Sequence, residues 1–253
     1  MATLERPGVR LHYDVVGDGP AILFVHSATS AGNHEWRTLV DDLSGRYRCI
    51  VPDLRGHGQS DHGAGTLGLD QILDDLRALL AHEHIVRPHV VGFSFGAEAA
   101  LELEVRDPGT VSSLILVSPS IGHPTGVPRS EQIATGWPRS LRDLHEAKHG
   151  PEQWRTILET LSADAATRSQ IPDEVLSAIG CRMLLVAGSE DQRIRVAQAR
   201  HLAELNHRAR LVVVPGAGHA AHAAEPKLFA EEVTAFLAET AAGTSAKEAK
   251  RCQ

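Results

Sequence analysis

Six short apolar runs, rich in β-branched residues, punctuate the chain: AILFV at 21–25, YRCIV at 47–51, HVVGF at 89–93, SLILVS at 113–118, RMLLVAG at 182–188 and RLVVV at 210–214. They are nearly continuous rather than alternating, so a strand built from any of them has to be covered on both faces. Helical patterns lie between them. The clearest places Leu69, Ile72, Leu73, Leu76, Leu79 and Leu80 on one stripe, as a helix packed on a sheet requires. Further helices are expected over Ala97–Val105, Val196–Leu205 and 226–239. Strands alternating with helices define an α/β fold, a mostly parallel sheet with helices on both faces. The alternating segment GVRLHYDVVGDG (8–19) reads as an antiparallel hairpin leading into it.

Residues 120–175 break this rhythm. They hold no strand-like run, several prolines and two of the three tryptophans, Trp137 and Trp154. The expected organisation is a core of 1–119 and 176–241, a small helical cap over 120–175, and a polar, disordered tail over 242–253. A chain of 253 residues can bury a core of this size as one elaborated domain. Its net charge of −7 argues against a nucleic-acid-binding surface, which needs clustered Lys and Arg. No apolar run reaches the length of a membrane span. MATLERPGVR contains no apolar signal core, and three scattered cysteines (Cys49, Cys181, Cys252) suit a reducing compartment. The expected location is the cytoplasm.

Chemistry enters at GFSFG (92–96), a G-x-S-x-G string between a strand and a helix. A serine on so tight a turn stands clear of the sheet, and the flanking glycines let the crossing backbones pass. Ser94 needs a base, and GAGHAAH places His219 on the loop after the last strand. The base needs an orienting carboxylate. GSEDQRI offers Asp191 after the preceding strand, with Glu190 as its neighbour and competitor. The order Ser94, Asp191, His219 is the one that accompanies this elbow, and all three fall at the C-terminal ends of strands. One oxyanion donor is then the N–H of Phe95, at a helix N-terminus. A second should come from HSATSAG (26–32). Asp53, His57 and His26 read as residues that tie down loops, and His222 as a structural neighbour of the base.

On these residues the chain resembles the α/β-hydrolase superfamily. DLRGHGQSD (53–61), GFSFG, GSEDQRI and GHAAHAAEP are similar to its loop after the fourth strand, its nucleophile elbow, its acid loop and its histidine loop. The resemblance covers 9–240 and is nearest to the small-capped ester, enol-lactone and carbon–carbon bond hydrolases, such as the 3-oxoadipate enol-lactonase type. It implies a second oxyanion donor at the Ala28 N–H. That group usually carries His-Gly in this loop, whereas this chain carries His26-Ser27.

HEAKH (145–149) also spells the H-E-x-x-H zinc signature. The extended signature continues with a glycine and a third histidine, where this chain has Glu152 and Arg155. With 15 histidines in the sequence, the string reads as a coincidence on a cap helix that Gly150 ends. The expected protein is therefore a serine hydrolase acting on a small molecule with an ester-like carbonyl, without cofactor or metal. The same residues also suit carbon–carbon bond cleavage, a cyclisation or an elimination, and the fold also serves low-turnover ligand receptors. Trp137, Trp154, Ile133 and Leu158 mark the cap as partly apolar.

Overall fold

The computed structural model describes residues 1–63, 67–122, 139–191 and 196–251, apart from the side chains of Ser140, Leu144 and 242–251. The six apolar runs form the parallel part of an eight-stranded sheet: β3 (Ala21–Val25), β4 (Arg48–Pro52), β5 (His89–Phe93), β6 (Ser113–Val117), β7 (Arg182–Gly188) and β8 (Ala209–Val214). With β1 (Ala2–Arg6) and β2 (Val9–Val16), the strand order is β1-β2-β4-β3-β5-β6-β7-β8. The alternating segment is a single strand, β2, and its hairpin partner lies before it. Leu4 pairs with Leu11 and Arg6 with Val9 across a Pro7–Gly8 turn in which Gly8 has φ 75°. β2 then pairs antiparallel with β4, Asp14 opposite Val51.

The described helices are α1 (Gly32–Leu43), α2 (Leu69–His82), α3 (Phe95–Arg106), α4 (Arg139–His149), α5 (Gln153–Thr167), α6 (Asp173–Ala178), α7 (Val196–Leu205), α8 (Ala221–Ala224) and α9 (Pro226–Arg251). The last runs beyond the 226–239 marked by the apolar pattern. Successive strand residues point to opposite faces, and the core divides accordingly. Leu23, Val25, Ile50, Val90, Leu114, Leu116 and Leu185 pack with α2, α3, α5 and α7. Ile22, Phe24, Val51, Val91, Ile115 and Val186 pack with α1 and α9. Two covered faces are what the continuous apolar runs demand.

Helix α1 places Trp36, Leu39, Val40 and Leu43 on one buried stripe, but its N-cap is Ala31, with no capping side chain. Asp53, 21 residues away, supplies the missing acceptor, because the Gly32 N–H donates to its Oδ1 at 2.8 Å. Between β6 and β7 the chain forms α4, α5 and α6. Ile157 and Leu161 of α5 and Leu176 of α6 join the core on the α2–α3 face. Trp137 and Ile133 lie outside the described residues, as does Cys252. Cys49 and Cys181 are buried and unbridged. Burial pushes both thiols up to about 12, so they behave as small apolar side chains. Among the described residues, no helix is long and apolar enough to cross a membrane.

Candidate active site

β5 ends at Phe93 and α3 begins at Phe95, which leaves Ser94 to make the whole turn. It does so at φ 54° and ψ −115°, a region that costs an L-residue about 1–3 kcal/mol and has to be enforced by its surroundings. The enforcement is visible. The Ser94 N–H donates to Val117 O at 3.0 Å, and its carbonyl accepts from the Glu98 N–H at 3.0 Å. A Cβ on Gly92 would lie 2.3 Å from Gly96 O, and one on Gly96 would lie 2.2 Å from Val25 O. Both are backbone collisions, so neither position admits a side chain.

The structure brings Ser94, His219 and Asp191 together across separations of 125 and 28 residues. Ser94 Oγ lies 2.8 Å from His219 Nε2, and His219 Nδ1 lies 2.9 Å from Asp191 Oδ2. A carboxylate only accepts, so Nδ1–H donates to Asp191, which leaves the Nε2 lone pair facing the serine hydroxyl. The Asp191 side chain is fully buried, and the His219 side chain is 16% exposed. Glu190, the neighbouring carboxylate, is an exposed residue, and only its backbone N–H turns inward, to Ala217 O at 2.9 Å. Residues 192–195 of the acid loop lie outside the described residues.

Neither the Phe95 N–H nor the Ala28 N–H donates to a backbone carbonyl among the described residues. Phe95 is the first residue of α3, where amides lack intrahelical partners and the helix dipole favours negative charge. The Ala28 loop is heavily tied. His26 Nδ1–H donates to Ser27 O at 2.7 Å, and His26 Nε2 accepts from the Leu54 N–H at 2.9 Å. His57 sits between two carbonyls, Arg55 O at 2.9 Å from Nδ1 and Ala28 O at 3.1 Å from Nε2. Its ring is wholly buried, and burial pushes its pKa down to about 3, so it is neutral and donates to one carbonyl at a time. Asp53 accepts from the Gly32 and Gln59 N–H groups, each at 2.8 Å. Burial pushes its carboxyl up, but His12 and these amides outweigh it and leave the pKa below the usual carboxylate value.

Three supporting residues were not singled out from the sequence. Ser118 Oγ donates to His219 O at 2.8 Å and fixes the base from the end of β6. The Phe93 ring lies against both His219 and His222, with centroids 5.0 and 4.5 Å away. Glu35, in the first turn of α1, accepts from Ser27 and bonds His222. For Ser118 the strand-end rule that located the other site residues would have served. Phe93 stands inside the GFSFG string, but its contact with the base, like the role of Glu35, shows only in three dimensions.

HEAKH lies in α4, which ends at Gly150 with φ 93°. Some of its side chains hydrogen-bond outside the string. His149 Nε2–H donates to Gly58 O at 3.1 Å, and Glu146 Oε1 accepts from Trp154 Nε1–H at 2.9 Å. His145 is buried, as is Leu141 on the same helix, and its ring centroid lies 4.4 Å from that of His149. Among the described residues, no group of three or more His, Cys, Asp or Glu side chains is placed to hold a metal ion. Trp154 and Leu158 are buried and pack against Ala28, which joins this helical segment to the loop beside Ser94.

An eight-stranded sheet with a strained serine elbow facing a histidine–aspartate pair defines a hydrolase-type fold, and the sequence agrees. Residues 22–232 match the pattern of the Alpha/beta hydrolase family, to which the chain belongs. It is 37% identical over 111 residues to the magnesium-chelatase 30 kDa subunit of Rhodobacter capsulatus, covering 44% of this chain but only 38% of that relative. Similarity to 3-oxoadipate enol-lactonase 2 of Acinetobacter baylyi is lower, 27%, but extends over 93% of this chain and 96% of the relative. The fold also matches the enol-lactonase of Burkholderia xenovorans, with a TM-score of 0.75 at 21% identity, over 91% of this chain and 97% of that one.

Proposed function

We propose that the protein is a serine hydrolase that cleaves a carboxylic ester or lactone. The observation that carries this reading is the continuous path from the Ser94 hydroxyl through His219 to the buried Asp191, at 2.8 and 2.9 Å. Ser94 attacks the substrate carbonyl while His219 Nε2 takes its proton. Asp191 holds the imidazole in the accepting tautomer and stabilises the cation that forms. The Phe95 and Ala28 N–H groups receive the negative charge on the tetrahedral oxygen. His219 returns the proton to the leaving alcohol, leaving an acyl group on Ser94. Water, deprotonated by the same histidine, releases the acid. In a lactone the leaving alcohol stays tethered, and the chemistry is otherwise unchanged. Full-length similarity to an enol-lactonase supports the ester and lactone class.

The test is a panel of acyl esters, lactones, thioesters and vinylogous diketones, run beside a serine-directed phosphonate. Turnover of an ester or lactone, abolished when the phosphonate labels Ser94, is the expected result, and prolonged chelation leaves that activity intact. Loss on chelation with recovery on zinc addition would return the HEAKH string to consideration. Preferential cleavage of the diketones would assign the same residues to carbon–carbon hydrolysis. No turnover of any substrate, with ligand binding retained, would favour a receptor.

A further inference from the structure

The buried carboxylate of Glu35 joins two loops that the proposed chemistry needs in register. On one side, Ser27 Oγ–H donates to its Oε2 at 2.9 Å, with the Ser27 N–H at a longer 3.5 Å. Ser27 immediately precedes Ala28. On the other side, Glu35 Oε1 lies 3.1 Å from Nε2 of His222, three residues beyond His219. Both side chains are largely buried, 12% exposed for Glu35 and 6% for His222. The His222 ring is fixed between Trp36 and Phe93, with centroids 5.2 and 4.5 Å away, and Phe93 in turn touches His219. No part of Glu35 belongs to the Ser94–His219–Asp191 path. Desolvation alone would raise its pKa, yet His222 and Ser27 outweigh burial and leave the group below the usual carboxylate value.

We infer that Glu35 is a positioning residue that clamps the oxyanion loop, through the Ser27 hydroxyl, to the loop carrying the histidine base. The inference rests on the serine-hydrolase reading above. Its physical basis is the steep dependence of oxyanion stabilisation on donor placement. A donor useful to the tetrahedral oxygen has to sit within hydrogen-bond distance of where that oxygen will be, not where the ground-state carbonyl is. Ser27 stands where a glycine is usual in this loop, and its hydroxyl gives the turn an anchor that a glycine lacks. What matters is acceptance by Glu35, not its charge. Glutamine can accept from Ser27 with its carbonyl and donate to a His222 that has changed tautomer.

The experiment compares wild type with Glu35→Gln, Glu35→Met, Ser27→Ala and the Glu35→Met/Ser27→Ala double variant. Readouts are kcat and KM on the best ester of the panel, affinity for a trifluoromethyl ketone analogue of the tetrahedral state, and the thermal midpoint. Glu35→Met should lose about 10- to 100-fold in kcat with KM nearly unchanged, as a displaced oxyanion donor does. Analogue affinity should fall in the same ratio. Glu35→Gln should lose clearly less than Glu35→Met, because the bond from Ser27 survives, while the bond to His222 requires a proton on its buried, unpartnered Nδ1. The double variant should be no slower than Glu35→Met alone, since both changes break one linkage. If Glu35→Met fails to fold, Ser27→Ala decides, because it removes one surface-distant hydroxyl and should still lose several-fold in kcat. Wild-type kcat and analogue affinity in Ser27→Ala, or a Glu35→Met effect confined to the thermal midpoint, would overturn the inference. Wild-type protein that ignores both phosphonate and esters would instead overturn the hydrolase reading.

Discussion

Replacing Asp191 by asparagine preserves the shape of the site and removes one charge. The Asp191 side chain is fully buried, so its attraction for the imidazolium formed at His219 is poorly screened. Two unit charges roughly 4 Å apart attract by about 4 kcal/mol at an effective dielectric of 20, which corresponds to about three decades in rate. Asparagine also presents an N–H that can face Nδ1, 2.9 Å from the present acceptor, and so favours the tautomer whose Nε2 is already protonated. A comparable change in another serine hydrolase costs about four orders of magnitude. We therefore expect kcat/KM on a chromogenic ester to fall by about three to four orders of magnitude in Asp191→Asn. Glu190→Gln removes the same charge from an exposed residue and should cost less than about threefold. Both variants should keep the wild-type thermal midpoint within a few degrees. An active Asp191→Asn beside a crippled Glu190→Gln would show that the carboxylate is assigned one residue too late. Activity in Ser94→Ala would remove the scheme altogether.

Gly96→Ala should destabilise the fold by about 2–3 kcal/mol, measured by urea unfolding, because its Cβ meets the Val25 backbone and not a movable side chain. His89, at the end of β5 remote from Ser94, is buried against Ser113 Oγ at 2.8 Å, and burial pushes its pKa down to about 4. A lowered histidine pKa means that below about pH 6.5 the unfolded chain takes a proton the folded one refuses. Stability then falls by up to about 1.4 kcal/mol per pH unit until about pH 4. Urea midpoints from pH 7 to 4 should show a shallower slope in His89→Gln, with ester turnover unchanged. An identical slope would show that His89 is protonated within the fold. Trp154→Ala should alter the ranking of acyl chains by about 1–3 kcal/mol in discrimination. It removes a buried ring that packs against Ala28, and an unchanged ranking would disconnect α5 from selectivity.

The parallel sheet was legible because each of its strands is apolar on both faces, a pattern few other environments tolerate. β1 was not, since ATLER pairs on one side only and carries a half-polar sequence. Helix α1 carries an apolar stripe, Trp36, Leu39, Val40 and Leu43, but no local signal for where it begins. Its start is stabilised by Asp53, a partner no local window contains. The same limit divides the site. Ser94, Asp191 and His219 each end a recognisable strand, so their positions follow from element order. Ser118 ends a strand too and obeys the same rule, whereas Glu35 matters through a contact across 187 residues and stands in no motif. The choice between Glu190 and Asp191 was a matter of one residue, and the turn of the backbone at Gly188–Asp191 points one side chain inward and the other to solvent.

The segment carrying α4, α5 and α6 leaves the sheet after β6 and returns at β7, and these two strands are hydrogen-bonded neighbours, Val117 beside Val186. Its two ends are therefore held close together by the sheet itself. Closing a longer loop across fixed ends costs only about 0.6 kcal/mol for each doubling of its length. Chain can be added, lost or exchanged at this joint while the strands that carry Ser94, Asp191 and His219 keep their register. The residues proposed to break the bond follow strands of one sheet, whereas the helical segment between β6 and β7 hangs from a joint where added chain costs little, although its Ile157, Leu161 and Leu176 still belong to the core.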